Sequence, residues 1–190
     1  MRLRRCVTVV ALALMLLAPA RVVVAGEPAR PAAATGQLHA RMLSIAEGLP
    51  HPAVYTIARD PFGFLWFGTL EGLARYDGHR FVVYRPDPTT PNAPASGQIN
   101  TLYSDRAGAL WIGTFASGLN RYDPRSEQFT LFRHDPADPT SLSSDAVRAI
   151  YEDDAGALWV GTLGGGLNRL DRDTGRFTHY RHNPADPYSL

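Results

Sequence analysis

The chain contains no lysine, only one cysteine, and no second long apolar run after the first. Each scarcity excludes something. Cys6 sits close to the amino terminus, too early and with the wrong flanks for lipoprotein attachment. Beyond it there is no disulfide, thiolate nucleophile or cysteine-bound metal to consider. All 19 basic residues are arginine, and four of them precede residue 26, where no acid occurs. The remaining 15 arginines face 18 acids, a balance of −3, which is no electrostatic footprint for nucleic acid. The one long apolar run, the uncharged residues 6–20, is 15 residues long, short of the roughly 20 that a spanning helix needs. Arg2, Arg4 and Arg5 precede it, and the small-residue sites Ala18-Pro-Ala20 and Val23-Val-Ala25 follow. This is the pattern of an export signal over residues 1–25. An uncleaved anchor is the alternative. Against it stand Arg21 and the Pro/Ala-rich leader at 26–37.

The chain spends its three tryptophans on one phrase. Gly63-Phe-Leu-Trp-Phe-Gly-Thr69, Gly108-Ala-Leu-Trp-Ile-Gly-Thr114 and Gly156-Ala-Leu-Trp-Val-Gly-Thr162 are three versions of it. Trp66 to Trp111 is 45 residues and Trp111 to Trp159 is 48. The difference lies between the tryptophan and the next shared phenylalanine, which are 15 residues apart in the first unit and 18 in the others. There the first unit has Asp77-Gly78, a dipeptide suited to a tight primed hairpin, and the others have longer turns. Residues 105–142 and 153–190 agree at 23 of 38 positions. A length change confined to one hairpin tip leaves a repeated core intact.

Within each unit the segments are short and rich in β-branched and aromatic residues, which predicts strands rather than helices. In the third unit four are expected, near residues 147–152, 158–162, 167–171 and 176–180. Asp60-Pro-Phe-Gly63, Asp105-Arg-Ala-Gly108 and Asp153-Asp-Ala-Gly156 mark turns between the first two strands, with Asp as cap and Gly at positive φ. Period two places Trp and the following Gly on one face and Leu and Thr on the other, so both faces are apolar or small, as in a sheet packed between neighbours. Four strands in about 45 residues is the arithmetic of a β-propeller blade. The fold class expected is all-β, three blades of an incomplete propeller, at about 48–91, 96–142 and 144–190 within a region 38–190. A segment near 38–45 is expected as an outer strand.

These units resemble the two-component regulator propeller repeat, whose pattern runs D-x-x-G-x-L-W-x-G-T-x-x-G-L-x-R-Y-D. All three follow it, from Asp60 to Asp77, Asp105 to Asp123 and Asp153 to Asp171, with Leu170 where Tyr is usual. Glu47-Gly-Leu-Pro-His-Pro-Ala-Val54 resembles the lead-in to a first blade. The resemblance implies a periplasmic sensor region of a receptor anchored in the inner membrane. It implies further blades, a histidine kinase or diguanylate cyclase output domain, dimeric action, and in some bacteria oligosaccharide ligands. The chain stops where a fourth unit would begin, so the expectation is an amino-terminal fragment without the output domain, aggregation-prone alone because a blade face is left uncovered. The alternative is a free periplasmic propeller, a binding scaffold or a lyase-type enzyme.

Shared residues in a repeat are first of all building parts. Gly63, Trp66, Gly68 and Thr69, with Gly108, Trp111, Gly113 and Thr114 and with Gly156, Trp159, Gly161 and Thr162, are therefore assigned to structure. The tryptophans are expected to pack between blades rather than to stack on sugar. Asp60, Asp105 and Asp153 supply one carboxylate per turn without a nearby His, so no metal is expected. His134 and His182 are taken as solvated connector residues. Arg75, Arg121 and Arg169 are expected to pair with acids of a neighbouring blade. Glu152-Asp-Asp154 cannot face one substrate as a glycosidase pair does. Ser143-Ser-Asp145 is a turn, and Gly164-Gly-Gly166 opens no helix and so makes no phosphate loop. No catalytic residue, cofactor or metal site is expected. A ligand site belongs at a propeller mouth, among residues that differ between units. Glu71, Phe115, Ser117 and Leu163 meet that description.

Overall fold

A computed structural model describes residues 42–87, 89 and 92–190. The expected signal, the leader and residues 38–41 lie outside the described residues. Twelve strands form three four-stranded antiparallel sheets, each ordered as it runs in the chain. The first contains β1 (Val54–Arg59), β2 (Leu65–Thr69), β3 (Leu73–Tyr76) and β4 (Phe81–Tyr84). The second contains β5 (Ile99–Ser104), β6 (Leu110–Thr114), β7 (Leu119–Asp123) and β8 (Gln128–Phe132). The third contains β9 (Val147–Glu152), β10 (Leu158–Thr162), β11 (Gly166–Leu170) and β12 (Phe177–Tyr180). The first strands neighbour one another, β1 beside β5 and β5 beside β9, and the fourth strands meet through their rings, Tyr84 with Phe129 and Phe132 with Phe177. This is a stack of propeller blades, unclosed over the described residues.

The repeated phrase explains the stack. Trp66 points from the first sheet into a cluster with Ile99, Leu102, Leu110, Ile112 and Tyr122 of the second. Trp111 repeats this one blade later, against Leu142, Val147, Leu158, Val160, Leu170 and Phe177. Both indoles are buried, at 0% and 2% exposure, and truncating such a ring costs about 3–5 kcal/mol. The glycine two residues on lets the sheets approach. A Cβ on Gly68 would lie 2.6 Å from both Ile99 Cγ2 of the next sheet and Thr56 Cγ2 of its own, and one on Gly113 would lie 2.6 Å from Val147 Cγ1 and 2.5 Å from Thr101 Cγ2 of its own sheet. The third sheet offers the same face without a neighbour. Trp159 is only half-buried, Tyr151 is 59% exposed, and Tyr180 is 40% exposed. A Cβ on Gly161 would meet only Ala149 of its own sheet, at 3.5 Å.

Connectors are tied by side-chain amides. Asn120 Oδ1 accepts from Ala95 N at 3.0 Å, and Asn168 Oδ1 accepts from Ser143 N at 2.9 Å. The first unit has Ala74 in that place, and it packs with Leu49 and Phe67 instead. Leu49 belongs to the lead-in, which opens with a 3-10 turn, Ile45–Glu47, closed by a Ser44/Glu47 capping box.

Three expectations need correction. Residues 42–45 form no strand: 42–44 are irregular, and Ser44 caps a 3-10 turn that starts at Ile45. The Asp77-Gly78 hairpin carries its positive φ (97°) on Gly78 alone, followed by His79. Asp77 is the flanking residue, and its carboxylate accepts from His79 N and Arg80 N, both at 2.8 Å. That is a primed turn with Gly first, not Asp-Gly at its centre. The equivalent arginines stay within their own sheets. Register sets Arg75 opposite Trp66, Arg121 opposite Trp111 and Arg169 opposite Trp159. Arg75 and Arg169 accordingly lie over the rings of their own sheets, and Arg121 reaches Asp123 at 3.8 Å.

The two glycine environments predict opposite outcomes for one substitution. Gly113→Ala crowds both Thr101 of its own sheet and Val147 of the third, and should lower the free energy of unfolding by about 1–3 kcal/mol. Gly161→Ala should change it by less than about 0.5 kcal/mol. Chemical denaturation midpoints of the two variants check this directly.

Candidate functional site

The inner strands share an irregularity at one end. Val54 pairs with Thr69 and Thr56 with Gly68, leaving Tyr55 as a bulge. Ile99 pairs with Thr114 and Thr101 with Gly113, leaving Asn100. Val147 pairs with Thr162 and Ala149 with Gly161, leaving Arg148. A bulge re-aims the extra side chain and recurs beside functional sites. The second-to-third-strand turns lie at this same end, where backbone bonds fasten them to the incoming chain. Phe115 N donates to Gln98 O at 3.1 Å, and Leu163 N donates to Ala146 O at 2.8 Å.

Phe115 is the centre of what gathers there. Tyr55 of the first unit meets its ring edge to face, with centroids 5.6 Å apart and planes at 83°. The Arg148 guanidinium of the third unit lies 5.1 Å over the same ring. Three units therefore converge on one phenylalanine. Tyr55 remains 50% exposed, and Arg148 is also exposed. Asn100 Nδ2 donates to Val147 O at 2.7 Å and links the second inner strand to the third. Of the residues singled out from sequence, Phe115 joins this cluster. Glu71, Ser117 and Leu163 occupy the corresponding turns and are engaged there through their backbone N–H groups. Tyr55, Asn100 and Arg148 were missed. Their signal was present, because one aligned column reads Tyr, Asn and Arg directly after a shared aliphatic, Val54, Ile99 or Val147.

The opposite end holds a different chemistry. Each turn aspartate takes the indole N–H of its own tryptophan: Asp60 from Trp66 at 2.8 Å, Asp105 from Trp111 at 2.8 Å, and Asp153 from Trp159 at 2.7 Å. The other oxygen caps the turn, accepting for instance from Ala109 N at 2.8 Å in the second unit. Arg172 then clasps two sheets together. Its Nη1 donates to Asp105 Oδ2 at 2.7 Å and its Nη2 donates to Glu152 Oε1 at 2.9 Å. Burial pushes the Asp105 carboxyl up, but the Trp111 indole N–H, Arg172 and the Ala109 amide together hold it below the usual range. For Asp153 the Trp159 indole N–H is the largest influence, again downward. These carboxylates are consumed by structure. Among the described residues, no group of three His, Asp or Glu side chains is placed to hold a metal.

The remaining sequence candidates also serve the scaffold. The Nδ1 of His134 lies 2.8 Å from Leu142 O, and the Nδ1 of His182 lies 2.6 Å from Leu190 O, so each ring closes its own connector. Ser143 Oγ lies 2.9 Å from Thr162 Oγ1, and Asp145 Oδ1 accepts from His134 N at 2.8 Å.

Repeated propeller blades with a rim of variable side chains define a class of scaffold, and comparison with known proteins narrows it. Residues 48–71, 94–116 and 141–164 match the two component regulator propeller family. Three consecutive segments of the chain carry the repeat of that family. A histidine kinase of Formosa agariphila is 45% identical over 42 residues, which is 22% of this chain and 3% of the kinase. The extracellular domain of the putative hybrid two component system BT3049 from Bacteroides thetaiotaomicron is 35% identical, with a TM-score of 0.72 over 78% of this chain. The corresponding domain of BT4673 is 28% identical, with a TM-score of 0.56 over 67% of this chain. The chain spans 21% and 18% of those two domains. Virginiamycin B lyase of Staphylococcus aureus, 23% identical with a TM-score of 0.55 over 72% of this chain and 44% of its own, shares the fold alone. No helix among the described residues is long and apolar enough to cross a membrane.

The Asp105 clasp has a definite pH signature. Its folded carboxyl titrates below the unfolded value near 3.9, so the unfolded chain binds the proton first as pH falls. The stabilisation is complete above roughly pH 5 and is lost as pH drops through the lower folded value. Asp105→Asn should cost about 2 kcal/mol at pH 7 and flatten the loss of stability below pH ~4. Urea unfolding of wild type and variant across pH 3–7 checks both.

Proposed function

We propose that this chain is the ligand-sensing, extracytoplasmic part of a membrane-anchored bacterial signalling receptor, with the ligand bound at the mouth around Phe115. The observation that carries the reading is the convergence of Tyr55, Phe115 and Arg148 from three successive repeats at one rim. A ligand seated there touches several blades at once, so its binding energy depends on how the blades sit together. That is the property a sensor needs. Two kinds of support come from elsewhere. The similar solved structures are extracellular domains of hybrid two component systems, and residues 1–25 read as an export signal.

The output in this reading is a histidine kinase or a diguanylate cyclase, carried by a longer receptor that works as a dimer. The ligand is a small molecule, with oligosaccharides the first class to try. The half-exposed face of the third sheet, with Trp159 and the open Gly161, receives a further blade of the same kind. It presents what Trp66 with Gly68 and Trp111 with Gly113 present to their neighbours.

Two measurements check the proposal. Alkaline phosphatase fused after residue 190 should be active in cells and should lose activity when residues 1–25 are deleted. An inactive fusion contradicts export. A panel of oligosaccharides screened by thermal shift should contain a binder. At a hundredfold excess over its Kd the gain is about 2.7 kcal/mol, a rise of roughly 5–10 °C for a domain of this size. Phe115→Ala should abolish that rise. A panel with no binder, or a rise indifferent to Phe115→Ala, overturns the mouth as the sensing site.

A further inference from the structure

The arginines differ in what their guanidinium groups have left to give. Arg172 is committed to Asp105, Glu152 and the Gly156 carbonyl. Arg106 reaches Asp154, Arg80 reaches Asp77, and Arg121 reaches Asp123. Arg75 and Arg169 lie over aromatic rings of their own sheets, away from the rim. Arg85, Arg133 and Arg181 follow the fourth strands at the rim end, beside Gly72, Gly118 and Gly166, and have no ion pair among the described residues. Arg148 also has none there, and it differs from them in standing on a bulge against an aromatic ring. Its one interaction is a cation–π contact, with Cζ 5.1 Å from the centre of the Phe115 ring.

That geometry has a chemical meaning. An exposed guanidinium with no ion pair among the described residues keeps its N–H edge free, and the edge is the part that forms two parallel bonds to a carboxylate. The supporting ring restrains the plane, so less rotamer freedom is lost when an anion binds. Tyr55 meets the same Phe115 ring at 5.6 Å and has half its surface exposed. It offers a ring face and a phenol hydroxyl. A cation edge and an aromatic face, separated by one shared phenylalanine, suit a ligand with a carboxylate on a ring that has an apolar side. Glu71 is the only acid among the second-to-third-strand turn residues 70–72, 115–118 and 163–165. It disfavours anions at the rim and sets no preference for them.

Resting on the mouth as the sensing site, we infer that the site selects ring compounds bearing a carboxylate, with Arg148 as the anion-binding group, Tyr55 as the stacking face and Phe115 holding both in place. A sugar acid and an aromatic acid both carry this chemistry, and the test separates them.

The test uses the full chain and four probes: galacturonic acid, its methyl ester, galactose and benzoate. Binding is measured by titration calorimetry at low salt for wild type, Arg148→Gln, Arg148→Lys, Tyr55→Ala, Glu71→Gln and Phe115→Ala, each first shown to keep its unfolding midpoint. At least one acid should bind about tenfold or more tightly than the neutral probes, as a bidentate charged contact implies. Arg148→Gln should erase the preference, Arg148→Lys should restore part of it, and Tyr55→Ala should weaken all binding probes. Glu71→Gln should leave affinity equal or raised. A preference for galacturonic acid identifies a sugar acid as the ligand class, and a preference for benzoate identifies an aromatic acid. Binding of neither acid overturns the inference, as does a preference that survives Arg148→Gln. Equal binding of galactose and galacturonic acid, lost in Phe115→Ala, sinks the carboxylate claim while the mouth stands. Binding that persists in Phe115→Ala sinks the mouth as well.

Discussion

A tryptophan can be buried between two sheets only if its indole N–H finds an acceptor on the way in, since an unpaired buried donor costs about 1–3 kcal/mol. In this chain the acceptor is supplied six residues earlier, by the turn aspartate of the same unit. One carboxylate closes the first hairpin with one oxygen and orients the indole with the other. Local turn formation and the packing of one blade on the next are thereby joined in a single side chain. The glycine two residues beyond the tryptophan then removes the Cβ that would hold the sheets apart.

The rest of the architecture follows from repeating that unit. Once Trp66 and Trp111 have set the spacing, the inner strands lie side by side and their bulges fall in line. Residues widely separated in the chain, Tyr55, Phe115 and Arg148, become neighbours at one rim. The structural end and the candidate binding end are opposite ends of the same strands. Carboxylates at the structural end are spent on indoles and on Arg172, which frees the rim to vary without endangering the stack. Variation there is visible in the chain itself, where the bulge position holds a different residue in each unit.

Much of this was legible from spacing. The period, the four strands per unit and the turn aspartates follow from where Asp, Gly and Trp recur, because repetition averages out the accidents of any one segment. The strand limits were off only at the edges: Gly166 begins β11, and Phe177, not Arg176, begins β12. What repetition cannot show is contact between different columns of the repeat. The Asp–Trp bond joins two shared columns and was not foreseen. The Arg172 clasp needs Asp105, Glu152 and Arg172 together, and unit two has Ser104 and Pro124 at the last two positions. Arg75, Arg121 and Arg169 were misplaced because their partners depend on strand register, which sets them beside their own tryptophans. Phe115, where three units converge, is singled out by asking which turn residues differ between units. The same question put to the inner strands would have found Tyr55, Asn100 and Arg148.

The account stands on the three indoles doing the same job with unequal cover. Hydrogen–deuterium exchange of the three tryptophan Nε1–H resonances, followed by NMR on nitrogen-labelled protein, measures that cover one ring at a time. Trp66 and Trp111, bonded to aspartate and closed in by a neighbouring sheet, should exchange slowly, while Trp159, bonded alike but half-open, should exchange much faster. Three equal rates, or fast exchange at Trp66 and Trp111, would contradict the claim that these rings are sealed between blades.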